Sequence, residues 1–108
     1  MDICRIRYFL AVYEHGSFTT AAKVCGVSQP SVTLGVRRLE RAVGGKLFER
    51  RHPARLTPLG AELRPLFEAM QRLADRVIAV VERQSPATPD QVGNILGRTS
   101  SQLPAECG

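Results

Sequence analysis

The side chains best suited to recognising a ligand are concentrated in one stretch that begins at Ser28. Its first polar groups are an amide, Gln29, and two hydroxyls, Ser31 and Thr33, and further along it carries arginines. Amides and hydroxyls exchange hydrogen bonds with the polar edges of base pairs, whereas guanidinium groups bind phosphate oxygens through two parallel hydrogen bonds. The chemistry of this stretch is therefore that of recognising a polyanion.

A helix must position these side chains, and an apolar stripe in the same stretch predicts one. The stripe recurs at steps of four, three and four residues and consists of Val32, Val36, Leu39 and Val43. At about 100° per residue, the opposite face consists of Pro30, Thr33, Leu34, Arg37 and Arg41. A helix that is buried on one side and polar at its exposed N-terminal end can enter the major groove of DNA. The alternative interpretation is a solvated surface helix of another α domain.

The sequence also marks the two ends of this helix. Ser28 is a suitable N-cap, and Pro30 falls in the first turn, where its missing N–H leaves no hydrogen bond unmade. Gly44 and Gly45 predict the end, because glycine adopts the left-handed conformation that a helix stop needs.

Two shorter helical patterns precede it. The first is capped by Asp2, runs to about His15 and ends at Gly16. Its apolar positions predict the inward-facing residues Ile6, Phe9, Leu10 and Tyr13. The second, from Phe18 to about Cys25, is capped by Ser17. Its predicted inward-facing residues are Phe18, Ala21, Ala22 and Cys25.

The second and third helices form a helix-turn-helix unit. Gly26 provides the tight turn between them, and Val27 is expected to point inward. The small side chain of Ala22 lets the two helices cross closely.

Two short strand patterns, residues 46–50 and 54–57, predict a β-hairpin wing around Arg51, His52 and Pro53. The basic residues at its rim are Arg50, Arg51, His52 and Arg55. Because arginine binds phosphate oxygens well, we interpret the wing as a phosphate and minor-groove contact. The alternative is a solvated basic loop.

A single long helix is predicted from Pro58, which Thr57 precedes as cap, to about Gln84. Its apolar seam repeats at steps of four and three and consists of Leu59, Leu63, Leu66, Met70, Leu73, Val77 and Val80. A rod of about 40 Å is too long to fold back on the head (residues 1–57), which favours dimerisation over a stripe that covers the head of the same chain. Pro65 is expected to remove one backbone hydrogen bond and bend the rod.

Charge is unevenly distributed along the 108 residues, whose net charge is +5. The head carries ten Lys and Arg against four acidic residues, which gives +6, and residues 58–108 carry five against six, which gives −1. A basic head on a near-neutral remainder points to a polyanionic partner for the head.

Several classes of protein are disfavoured by what the sequence lacks. No apolar run approaches the roughly 20 residues of a membrane span and no signal peptide is evident, so we expect a cytoplasmic protein without a membrane partner. The three cysteines show no metal-binding spacing, and their odd number argues against a disulfide framework. We therefore interpret Cys4 and Cys25 as buried thiols. No nucleophile–base pair, carboxylate dyad or glycine-rich phosphate loop indicates an enzyme, and no cofactor is expected.

In the order and spacing of its motifs, the chain resembles the N-terminal DNA-binding domain of LysR-type transcriptional regulators over about residues 1–84. The matching runs are Tyr8-Phe9-Leu10-Ala11-Val12, Gly16-Ser17-Phe18-Thr19, Ala21-Ala22, Val27-Ser28-Gln29-Pro30-Ser31-Val32-Thr33, Arg38-Leu39-Glu40, Gly44, Leu47-Phe48-Glu49-Arg50, Leu56-Thr57 and Gly60. The resemblance implies a mainly α fold with a winged helix-turn-helix head, residues 1–57, of three helices and a β-hairpin wing. A linker and dimerisation helix, residues 58–84, follows, and we expect residues 85–108 to be a flexible tail.

The resemblance also assigns contacts to double-stranded DNA. Together with the residue patterns it gives the expected set Ser17, Thr19, Ser28, Gln29, Pro30, Ser31, Thr33, Leu34, Arg37, Arg38, Arg50, Arg51 and Arg55. Gln29 to Thr33 match the base-reading end of the recognition helix and the arginines match its backbone-binding flank and the wing. Leu34 and Gly35 depart from the family pattern. Leu34 could contact a thymine methyl but cannot read guanine, and Gly35 costs roughly 1 kcal/mol in a helix interior.

These observations favour a dimeric, sequence-specific DNA-binding module that reads an interrupted inverted repeat, as a homodimer or with a LysR-type relative. The alternative is a shortened dimerisation partner that modulates a full-length regulator without binding DNA productively. The head of molybdate-responsive regulators is similar and would act on DNA alike. Regulators of the LysR type continue into a two-lobed effector-binding domain. Because residues 85–108 are too few to build such a pocket, we expect no small-molecule effector to bind this chain.

Overall fold

The computed structural model describes residues 2–52 and 55–84, which contain four α-helices. These are α1 (Ile3–His15), α2 (Phe18–Cys25), α3 (Gln29–Val43) and α4 (Pro58–Gln84). Helix positions agree with the sequence prediction, whereas the predicted flexible tail, residues 85–108, lies outside the described residues. Within the described ranges, no helix is both long and apolar enough to cross a membrane.

Local capping explains where the first three helices begin and end. The side chains of Asp2, Ser17 and Ser28 each accept a hydrogen bond from the backbone N–H three residues further on, at 3.0, 3.2 and 3.3 Å. Each helix then ends at a glycine in the left-handed region, with φ between 66° and 80°. The boundaries of these helices are therefore fixed by residues at the helix ends themselves, which is why the sequence predicts them.

The core is built around α1, which packs against each of the other three helices. The largest fully buried side chains are Phe9, Ile6, Leu39, Leu47, Val12 and Val32. Phe9 lies at the centre, since its ring contacts Phe48 at a centroid distance of 5.2 Å and Phe67 at 5.4 Å. Phe48 also meets Phe18 at 5.6 Å. Four aromatic rings thus join α1, α2, α4 and the segment before α4.

The prediction that Tyr13 faces the core is wrong, because its side chain is 39% exposed. Its ring instead lies under the guanidinium of Arg64, whose Cζ is 4.9 Å from the ring centroid. The pattern of one buried face also missed further buried residues of α1, which are Tyr8, Ala11 and Val12, whereas Cys4 is buried as predicted. A helix with neighbours on three sides buries more than the single stripe that the sequence pattern assumes.

Cys4 is disulfide-bonded, which contradicts the interpretation of this residue as a thiol. An odd number of cysteines excludes a fully paired set but leaves room for one bond. Cys25 is free, as predicted, but it is half-buried rather than buried.

The predicted β-hairpin of the wing segment (residues 46–57) is not formed by regular strands in the described part of the chain. Its two arms run antiparallel, but they share only an isolated bridge between Phe48 and Leu56. Backbone hydrogen bonds join Glu49 N to the Arg55 carbonyl at 2.8 Å and Thr57 N to the Leu47 carbonyl at 3.0 Å. The pairing ends there because Thr57 already caps α4, accepting from Gly60 N at 3.0 Å.

The predicted seam of α4 is divided between two environments. Leu59, Leu63 and Met70 are partly buried and pack against the core of the same chain, on the side where Phe67 and Ala74 are buried. The remaining members form an exposed apolar stripe, here called the free stripe, which consists of Leu66, Leu73, Val77 and Val80. Part of the seam therefore covers the head, and α4 docks on α1 despite its length. Pro65 lies inside the helix without interrupting it.

Close backbone approach explains two glycines. A Cβ at Gly35 would lie 2.6 Å from Cδ2 of the buried Tyr8 ring, so Gly35 is needed for α3 to pack against α1. A Cβ at Gly60 would overlap the backbone carbonyl oxygen of Leu47. The departure of Gly35 from the family pattern is thus a packing feature on the buried side of α3.

We expect Gly35→Ala to lower the free energy of unfolding by up to about 2 kcal/mol. Overpacking a core costs about 1–3 kcal/mol, and the better helix propensity of alanine returns roughly 1 kcal/mol. Urea unfolding followed by circular dichroism measures the change. Leu34→Ala, at the exposed neighbouring position, is the control and should change stability by no more than about 0.5 kcal/mol. A Gly35→Ala variant more stable than the wild type would show that the Tyr8 ring imposes no such limit.

Candidate nucleic-acid interface

An open cleft of about 900 Å³ lies between the outward face of α3 and the wing segment. Its lining includes Gln29, Thr33 and Arg37, which follow one another at four-residue steps along α3, and Arg50 from the wing segment. We call it the interface cleft. Arg50, which the sequence places 13 residues after Arg37, is thus brought to the same concave surface as the three side chains of α3. Two carboxylates, Glu40 and Glu49, also line this surface.

α3 is oriented as its sequence pattern predicts. Val32 and Leu39 are fully buried and Val36 is 3% exposed, whereas Gln29 and Arg37 face solvent. The buried stripe leaves the opposite side of the helix available for contact with another molecule.

The polar groups at the start of α3 are already ordered by bonds among themselves. Gln29 Nε2 donates to Thr33 Oγ1 at 2.7 Å, and the hydroxyls of Ser28 and Ser31 are 2.8 Å apart. The bond to Thr33 uses one of the two N–H groups of the Gln29 amide. Its carbonyl oxygen and second N–H remain able to accept and donate, the two functions that glutamine uses when it pairs with adenine in the major groove.

The other expected DNA-contacting residues lie outside the lining of the cleft. Exposed members are Thr19, Ser28, Pro30, Leu34, Arg51 and Arg55, and half-buried members are Ser17, Ser31 and Arg38. Ser17 is engaged as the cap of α2, because its hydroxyl accepts from Thr20 N. The cleft therefore unites four of the thirteen expected residues, and the other nine lie outside its lining.

Sequence reasoning missed a residue that shapes this site, Glu40. Its side chain is 9% exposed, and Oε2 accepts a hydrogen bond from Leu47 N at 2.7 Å. The other carboxylate oxygen, Oε1, lies 3.8 Å from Lys46 Nζ. The backbone carbonyl of Glu40 accepts a hydrogen bond from Gly44 N at 2.9 Å. Glu40 thus connects the last turn of α3 to the first residues of the wing segment. The available signal was its spacing, since residue 40 is four after Val36 and falls on the buried stripe.

A smaller cleft of about 340 Å³ lies on another side of α1, and its lining includes Arg7, His15 and Cys25. Burial raises the pKa of the Cys25 thiol, and the nearby charge of Arg7 partly opposes this. The described residues contain no group of three or more His, Cys, Asp or Glu side chains placed to hold a metal ion.

The family is decided by the sequence pattern described as "Bacterial regulatory helix-turn-helix protein, lysR family", which matches residues 3–61, more than half of the chain. The chain belongs to the LysR family. The matched region runs from the first residue of α1 into the first turn of α4, so it contains the whole interface cleft.

Relatives in this family carry the names of transcription regulators. The chain is 40% identical over 85 residues to the HTH-type transcriptional regulator TfdT of Cupriavidus pinatubonensis, a match that covers 79% of this chain and 35% of TfdT. It is 40% identical over 80 residues to the regulator BudR of Klebsiella aerogenes, which covers 74% of this chain and 52% of BudR. The LysR-family chain therefore spans about a third to a half of the length of these relatives.

Solved structures of the family agree with the fold. The BenM DNA-binding domain in complex with benA site 1 DNA superposes with a TM-score of 0.71 at 28% identity, covering 82% of this chain and all of that one. The CbnR DNA-binding domain in its DNA complex gives 0.69 at 33% identity, covering 81% and all of that chain. Full-length OxyR of Pseudomonas aeruginosa gives 0.74 at 29% identity, covering 79% of this chain and 29% of that one. The likeness thus extends over the head and into α4.

We expect Glu40→Ala to lower the free energy of unfolding of the LysR-family chain by about 1–3 kcal/mol, because it leaves the buried Leu47 N–H without its acceptor. Chemical denaturation measures the loss. Glu40→Gln keeps a carbonyl acceptor and should lose less. Glu62→Ala, which removes an exposed carboxylate from α4, is the control. Equal stabilities of Glu40→Ala and the control would contradict the role given to the carboxylate.

Proposed function

We propose that this chain is the sequence-specific DNA-binding module of a dimeric LysR-type bacterial transcription regulator. In this proposal the exposed face of α3 enters the major groove, and the basic residues of the wing segment contact the sugar–phosphate backbone and the adjacent minor groove. The observation that carries the proposal is the shared position of Gln29, Thr33, Arg37 and Arg50 in the interface cleft. The likeness to domains solved in complex with DNA supports it independently.

The chemistry of the cleft fits base reading at one end and phosphate binding at the other. Gln29 lies in the first turn of α3, where recognition helices place the side chains that meet base edges. Arg37 lies two turns further along, and Arg50 approaches from the wing segment. Glu40, the buried acidic residue of the cleft, has both carboxylate oxygens near partners within the protein, so it opposes a phosphate less than a free carboxylate would.

The free stripe of α4 supports dimerisation. Its members are exposed to solvent by 59% (Leu66), 57% (Leu73), 50% (Val77) and 45% (Val80). Four large apolar side chains in one line on a single helix are costly to leave in water, and burial against the same stripe of a second copy removes that cost. A two-fold dimer would present two recognition helices to two inverted half-sites.

We expect Gln29→Ala and Arg50→Ala to weaken DNA binding in different ways. Loss of the Gln29 amide should reduce discrimination at one base pair by about 1–3 kcal/mol and leave binding to random DNA nearly unchanged. Loss of the Arg50 guanidinium should weaken binding to all sequences alike. It should also reduce the slope of log affinity against log salt concentration by about one. Fluorescence anisotropy on a sequence selected from a random pool, and on random DNA, measures both.

The control for Arg50→Ala is Arg76→Ala, which removes an exposed cation from α4 outside the cleft. It should leave both affinities close to those of the wild type. If Gln29→Ala and Arg50→Ala lost affinity equally on selected and random DNA, the proposed division between base reading and phosphate binding would be wrong.

We expect Leu73→Lys to raise the dimer dissociation constant by about a hundredfold, because the change occurs twice in a symmetric interface and each copy loses roughly 1.5 kcal/mol of apolar burial. Sedimentation velocity over a concentration series measures the constant. Ala79→Lys adds the same charge to an exposed position on α4 that lies away from the free stripe, and it should leave the dimer intact. A wild-type chain that sediments as a monomer at all concentrations would refute the dimer.

The same two measurements test the alternative of a modulating partner. A wild-type chain that forms dimers but selects no sequence from the pool would favour pairing with a relative over DNA reading by this chain.

A further inference from the structure

Two polar contacts join α4 to α1 outside the interface cleft. The guanidinium of Arg64 covers the Tyr13 ring and donates to Glu68 Oε1 at 2.7 Å. Further along α4, Asp75 Oδ1 accepts a hydrogen bond from Arg7 Nη2 at 2.5 Å. Arg64 and Asp75 are eleven residues apart, which is about three helical turns or roughly 16 Å, so both lie on one side of α4.

The buried aromatic contact of α4 lies between these two points. Phe67 is 3% exposed and meets Phe9 edge-on. The apolar contacts of Phe67, Leu63 and Met70 with the core set the distance between the two helices, but apolar contacts are not directional, so they restrain rotation about the helix axis less than directional contacts do. Two directional contacts three turns apart restrain that rotation and the crossing angle together.

Rotation of α4 decides where the free stripe points. Leu66 belongs to that stripe and Phe67 to the docked side, and consecutive residues of a helix differ by about 100°. The stripe therefore faces sideways from the head. Rotation of α4 about its own axis turns the free stripe relative to the head. A second copy docked on the free stripe then changes its position relative to the recognition helix of the first copy.

We infer that the Arg64–Tyr13 and Arg7–Asp75 contacts are positioning contacts that set the distance and phase between the two DNA half-sites bound by a dimer. This inference rests on the proposed function and extends it from which bases are read to how far apart they are read. Half-sites must match the spacing of the recognition helices, and DNA repeats its groove every 10 to 10.5 base pairs or so. A change in rotation therefore appears as a changed preference for spacing.

The test uses the full 108-residue chain and the half-site that the wild type selects from a random pool. Duplexes carry two inverted copies of the half-site, and their separation varies in single base-pair steps over about one turn of DNA. Affinities are measured by fluorescence anisotropy for the wild type and for Tyr13→Leu/Asp75→Asn, which removes the aromatic face and the carboxylate charge. The ratio between the best and worst spacing should fall by about five- to thirtyfold in the double variant.

Two further proteins serve as matched controls. Glu82→Gln makes the same carboxylate-to-amide change beyond the last of these contacts with α1 and should keep the wild-type spacing preference. Asp75→Arg places like charges together and should flatten the preference, whereas Arg7→Glu/Asp75→Arg restores opposite charges and should recover it. Recovery by the exchanged pair separates positioning from a general loss of stability.

An unchanged spacing preference in the double variant would overturn the inference while the proposed function stands. Loss of affinity for a single half-site, or loss of the dimer in sedimentation, would also overturn it, since the contacts would then support the head or the association itself. If the wild type selects no half-site at all, the proposed function is wrong and this inference falls with it.

Discussion

The packing of Phe9 is the interaction on which the rest of the structure depends. Its ring meets Phe48 from the wing segment and Phe67 from α4, so one side chain in the middle of α1 joins both later parts of the chain to the first helix. Full burial of a phenylalanine side chain contributes about 1.5–3 kcal/mol through its area, and pairs of rings add about 0.5–1.5 kcal/mol each. Through these contacts Phe9 helps to fix the positions of the wing segment and α4 relative to α1 and, with them, to α3.

The interface cleft follows from that arrangement. α3 provides one wall because its apolar side is sealed against α1, and the wing segment provides the other because Phe48 is held by Phe9 and Phe18. Glu40 then closes the corner between them through Leu47 N. The site is therefore not a property of the recognition helix by itself. It requires a helix, a short antiparallel segment and a buried carboxylate to meet at one edge of the core.

Features encoded by neighbouring residues were predictable from the sequence, and features that depend on distant contacts were not. The ends of α1 to α3 follow from a cap and a glycine at each helix, and the orientation of α3 follows from its own apolar stripe. Tyr13 was predicted to be buried because it continues the apolar pattern of α1. That pattern does not show that Arg64 covers the Tyr13 ring from outside the core. Gly35 was interpreted as a weak point of the helix because the sequence does not show Tyr8 lying against it. In the seam of α4, periodicity identified the apolar residues but could not divide them between the head and the free stripe, since both uses follow the same steps of three and four.

The self-contained caps of the first three helices have a consequence for how the chain folds. Asp2, Ser17 and Ser28 each complete the first turn of their own helix, which reduces the cost of starting a helix in isolation. The contacts among these three helices all lie within the first 43 residues, and short sequence separations are associated with rapid folding. α4 contacts α1 from the other end of the described chain, so its docking closes a larger loop than the contacts among the first three helices do. The head should therefore assemble first, with Phe9 still partly uncovered, and α4 should complete the core last.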